Sequence, residues 1–93
     1  IMAGGPKDVA YKIAKESYED GVAAHLPMFF ASLPTVAHGG AYVGPDLEWT
    51  RVALSWLDWQ LKGNRLARAE FVGRKCGLCT NSAWQDVAGS GQR

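Results

Sequence analysis

The sequence predicts an α/β arrangement: two parallel strands joined by a crossover helix and followed by a long amphipathic helix at the carboxyl-terminal side. Three observations carry that expectation. A short apolar start precedes a stretch with helical spacing, a compact aromatic run sits between two prolines, and one strongly patterned helix follows a glycine-rich loop.

Ile1 to Gly4 reads as the end of a buried strand, and Gly5-Pro6 turns the chain. Nothing polar or capping precedes it, which predicts that residues 1–87 form an incomplete domain. From Lys7 to Asp20 the positions Val9, Ala10, Ile13, Ala14 and Tyr18 recur at helical intervals, with Asp20-Gly21 as the stop signal. Met28 to Leu33 is short, aromatic and bounded by Pro27 and Pro34, so a buried strand is expected. A strand, a helix and a second strand in one sheet must run parallel.

The long helix is expected to begin with Asp46 as N-cap and to end at Lys62, with Gly63 at C′. Trp49, Val52, Ala53, Trp56, Leu57 and Leu61 share one face, with Trp59 on its flank. That stripe is core rather than a ligand platform, because it keeps helical spacing. Asn64 caps a further short helix through Phe71, Gly73 to Ser82 is loop, and residues 88–93 form a frayed tail.

Composition narrows the function classes. With 93 residues the core can be only modest, and 47% hydrophobic content with four tryptophans argues for packing over disorder. The net charge of +1 is dispersed, so a nucleic-acid partner is not expected. Val22 to Pro45 contains no charged residue, yet its prolines and glycines would break a membrane span. No cofactor motif or metal-ligand set emerges.

The chemistry-bearing residues are few. His38 lies in the loop Val36-Ala37-His38-Gly39-Gly40, after the carboxyl end of the second strand. Asp8 follows the carboxyl end of the first. If the strands are parallel neighbours about 5 Å apart, both residues leave one edge of the sheet, where open α/β sheets place ligands. The bland alternatives are a loop histidine without a task and a carboxylate at a helix N-terminus. Asp20 and Asp46 are weaker candidates for an acid, being explained as helix terminator and cap, and His25 reads as structural. Cys76-Gly77-Leu78-Cys79 allows a redox pair, half a zinc site or a tight local disulfide.

Taken together, GGPKDVAY, the hydrophobic strand, PTVAHGGAY, a helix ending WLDWQLKG and then FVGRKCGLCTNSAW resemble the C-terminal part of secreted microbial α/β-hydrolases of the esterase, cutinase and dienelactone-hydrolase-like type. The similarity covers nearly all of this chain and the last third or so of such an enzyme. It implies that the chain is a C-terminal fragment of an α/β-hydrolase fold, with Asp8 as triad acid and His38 as triad histidine. Such enzymes carry their serine upstream on a G-x-S-x-G elbow. Ser17, Ser32, Ser55, Ser82 and Ser90 do not stand in that pattern, so the nucleophile is absent from this chain. A small-molecule carboxylic ester is the implied substrate, the setting is secreted or extracytoplasmic, and a structural bridge between Cys76 and Cys79 is reasonable there. Tyr42 could line the pocket, although packing explains it as well.

Two other readings stay open. His38-Gly39-Gly40 could belong to an oxyanion loop, although that version precedes a serine elbow and none follows here. The chain could also be a non-catalytic interaction fragment that self-associates, or a small redox or metal protein built on its CxxC.

Overall fold

In a computed structural model the chain is described over residues 1–35 and 47–91. The elements are β1 (Met2–Gly4), α1 (Tyr11–Ala23), β2 (Met28–Leu33), α2 (Leu47–Lys62), α3 (Arg65–Arg68), a 3-10 turn at Leu78–Thr80, and β3 (Gln85–Ser90). The sheet has the order β1-β2-β3, with β1 parallel and β3 antiparallel to β2.

The fold class expected from sequence is therefore corrected. The sheet is three-stranded and mixed, and the chain's last element is a strand rather than the long amphipathic helix. Residues 85–90, read in part as a frayed tail, pair with β2 from Met28↔Ser90 to Ser32↔Gln85. Gln-Asp-Val-Ala-Gly-Ser is poor in strand formers, so only the partner strand makes it a strand. A bulge between the Phe30 and Ser32 pairings carries Asp86 at φ 52°, the left-handed region where Asp is tolerated better than most residues.

Strand alternation explains the layering. Phe30 meets Tyr11 and Tyr18 of α1, with ring centroids 6.2 and 6.0 Å apart. Its neighbour Phe29 points the other way and meets Trp56 of α2 at 6.3 Å and Phe71 at 5.2 Å. The two helices thus cover opposite faces of β2. Phe29, Ala31 and Leu33 form one core with Val52, Phe71, Cys76, Leu78 and Trp84.

Two element boundaries differ from expectation. Helix α1 starts at Tyr11 and passes through Gly21 to Ala23. Gly21 is buried against β2: a Cβ there would stand 2.6 Å from the Met28 sulfur. The stop comes four residues later. His25 takes φ 62°, and the amides of His25 and Leu26 return to the carbonyls of Val22 and Gly21. That pair of bonds is a Schellman ending with histidine where glycine is usual.

On α2 the buried face is rotated from the expected stripe. Val52 is buried, and Trp49, Trp56 and Trp59 pack on the core, while Leu57 and Leu61 are 48% and 78% exposed. Trp59 belongs to the packed face, stacking on Phe71 at 5.7 Å. The expected ending holds: Gly63 has φ 65°, and Asn64 caps α3 by accepting from the amides of Leu66 and Ala67.

Candidate functional site

The parallel register sets Gly4 opposite Leu33, so the chain leaves β1 and β2 at the same rim. Ser32, fully buried, donates its hydroxyl to the Gly4 carbonyl at 2.7 Å and ties the two strands there. One residue further, Gly5 lies against Pro34: a Cβ at Gly5 would be 2.9 Å from the Pro34 Cα. Only glycine permits that approach of the two backbones.

Asp8 is built onto this rim by its own backbone. Its amide donates to the Gly5 carbonyl at 2.8 Å, closing the turn through Pro6, and its carbonyl accepts from the Tyr11 amide at 3.0 Å. The carboxylate oxygen Oδ1 accepts from the Ala10 amide at 2.9 Å. The half-buried side chain is thereby held just ahead of α1 at the carboxyl edge of β1. The contact is an Asx turn ahead of the helix and not a cap, since the N-cap of α1 is Ala10 and no side chain caps it.

His38 lies outside the described residues, as do Gly39, Gly40, Tyr42 and Asp46. Thr35 is the last described residue before them, two positions past the end of β2 at that rim. Of the weaker candidates, Asp20 is exposed three residues before the end of α1, and His25 ends that helix. Two serines are engaged with backbone: Ser32 with Gly4, and Ser17 with the Ile13 carbonyl at 2.9 Å.

Cys76 and Cys79 are at disulfide distance, with sulfurs 2.11 Å apart. Cys76 is buried in the core and Cys79 is exposed. Among the described residues no group of three or more His, Cys, Asp or Glu side chains could hold a metal ion. Nor is any described helix long and apolar enough to cross a membrane.

Sequence reasoning missed a polar cluster on the side of α2. The Glu48 carboxylate accepts from Arg51 Nε at 3.0 Å and Nη2 at 2.8 Å, from Asn81 Nδ2 at 3.0 Å and from Trp84 Nε1 at 2.8 Å. Arg51 also donates to Glu70 at 2.8 Å. The Arg51 and Trp84 hydrogen bonds hold the Glu48 carboxyl down at about 2, and Glu48, then Glu70, hold the Arg51 guanidinium more firmly protonated than usual. The Glu48 to Arg51 spacing was visible in the sequence; the return of Asn81 and Trp84 was not. Across the sheet, Tyr11 donates its hydroxyl to Asp86, which raises the phenol's pKa, and the bond joins α1 to the bulge of β3. These groups bond to one another across separate elements and serve as clamps.

No family model matches the chain, and no curated protein matches it either.

Proposed function

We propose that this chain contributes Asp8 and His38, as acid and histidine, to a serine carboxylic-ester hydrolase whose nucleophile lies outside it. The observation that supports this reading is the shared rim. β1 and β2 are parallel neighbours in register at Gly4↔Leu33, and Asp8 is fixed by backbone hydrogen bonds where β1 ends. Loops leaving the carboxyl edge of parallel strands are where α/β folds collect reacting groups. The motifs around Asp8 and His38 supply the assignment of roles.

In that mechanism a serine hydroxyl attacks the ester carbonyl while the His38 imidazole takes its proton. Collapse of the tetrahedral adduct returns the proton from the imidazolium to the leaving alcohol, and water repeats the cycle on the acyl-enzyme. The Asp8 carboxylate orients the imidazole and stabilises its cationic form without itself becoming protonated.

The test is kinetic. In the full-length protein, His38→Ala removes hydrolysis of a chromogenic short-chain ester, and Asp8→Asn lowers kcat by about 10³- to 10⁴-fold with the fold retained. Undiminished turnover in a folded Asp8→Asn protein would take Asp8 out of the mechanism. The 93-residue chain alone is expected to resist a serine-directed fluorophosphonate label, whereas stoichiometric labelling would refute an external nucleophile.

A second reading, a non-catalytic interaction fragment, draws on Ile13 of α1 and Leu54 and Leu61 of α2, all more than half exposed. Inactivity of the full-length protein toward every ester tried, together with partner-dependent burial of these side chains, would favour it.

A further inference from the structure

A cavity of about 270 Å³ opens between the amino-terminal ends of β1 and β2 and the middle of α2. Phe29, Val52, Ala53, Trp56 and Phe71 line its interior. Ile1 and Leu57, 40% and 48% exposed, stand where it meets solvent. It lies at the strand ends away from Asp8, which follows the carboxyl end of β1.

No lining side chain is charged or titratable, and the Ile1 amino group, whose pKa burial lowers, is spent on the Phe29 carbonyl at 2.7 Å. A water molecule needs two or more polar partners to occupy such a space stably, and the polar groups of these walls, the Ile1 amine and the Phe29 carbonyl, are bonded to each other. An apolar occupant is therefore favoured over solvent. The ring geometry narrows its shape: Trp56 and Phe71 meet edge to face at 5.1 Å, as Phe29 and Phe71 do at 5.2 Å. Another flat ring entering beside them can take up the same edge-to-face contacts. Size narrows it further, since an apolar cavity of about 150 Å³ accepts benzene. The present volume is nearly twice that, which suits two fused rings.

We propose that this cavity is a binding site for a neutral, fused-ring aromatic molecule, separate from the Asp8 rim. No side chain lining it can attack or transfer a proton, and the Ile1 amino group is engaged with the Phe29 carbonyl, so the ligand is held and not turned over. The inference stands independently of the hydrolase reading.

Naphthalene titrated into the protein, followed by methyl NMR, tests it. The Val52 and Leu57 methyl signals should shift and saturate. Ala53→Phe, which puts a ring into the space, should weaken binding about tenfold or more. Leu54→Ala, on the exposed side of α2, should leave it within about twofold. If Ala53→Phe does not fold, Ala53→Leu takes its place, with a loss of about threefold or more expected. Shifts that grow linearly without saturation, or a folded cavity-filling variant that binds as tightly as the parent, would overturn the proposal.

Discussion

The carboxylate of Glu48 ties the first turn of α2 to Asn81 and Trp84, 33 and 36 residues later in the chain. Removing its charge while keeping its shape isolates that tie. Glu48→Gln is expected to cost about 1–2 kcal/mol in urea unfolding, at the lower side of charge-assisted bonds because the pair with Arg51 is partly solvated. The pH dependence has a definite sign. The carboxyl is held at about 2 in the folded chain against an ordinary 4.5, so its contribution is complete above pH 4.5 and is lost as pH falls toward 2. The variant should show a flatter stability profile across that window, and equal slopes for the two proteins would contradict the clamp. None of this was legible in sequence beyond a Glu and an Arg three residues apart. A hydrogen bond between residues 48 and 84 exists only because the 3-10 turn brings the chain back.

At the scale of elements, local signals were reliable where a backbone conformation demands a residue type. Gly63 ends α2 in the left-handed region and Asn64 caps α3, both as their positions suggested. Asp20-Gly21 misled, because that glycine answers to a packing need against Met28 and not to a turn. The true end of α1 at His25 carries a prediction of its own. His25→Gly relieves a side chain held at positive φ and should stabilise the fold by about 1 kcal/mol, read as a raised thermal midpoint. A lowered midpoint would mean that the imidazole holds α1 in place through contacts worth more than the strain. The tryptophan stripe illustrates a different limit. Helical spacing located α2, yet several adjacent faces of it are apolar, and the position of Phe71 selected the one bearing Trp59 over the one bearing Leu57 and Leu61.

For the molecule as a whole, apolar side chains remain exposed on both helical layers: Ile13 on one, and Leu54 and Leu61 on the other. We expect the 93-residue chain by itself to associate as its concentration rises, and Leu54→Lys with Leu61→Lys to return it toward monomer in sedimentation. Concentration-independent monomer behaviour of the unaltered chain would remove that expectation. Around the candidate site, the strand before Asp8 and the place of that acid ahead of α1 were legible in the sequence, since a strand end, a Gly-Pro turn and an acid near a helix start are all local features. It also located β2, whose apolar run between prolines needs no partner to be recognised. Tertiary structure alone decided the third strand, the mixed sheet and the face of α2 that packs. The reason is physical: periodicity and turn chemistry act over a few residues, whereas β3 is a strand only through its pairing with β2, and the face of α2 is chosen by what lies against it.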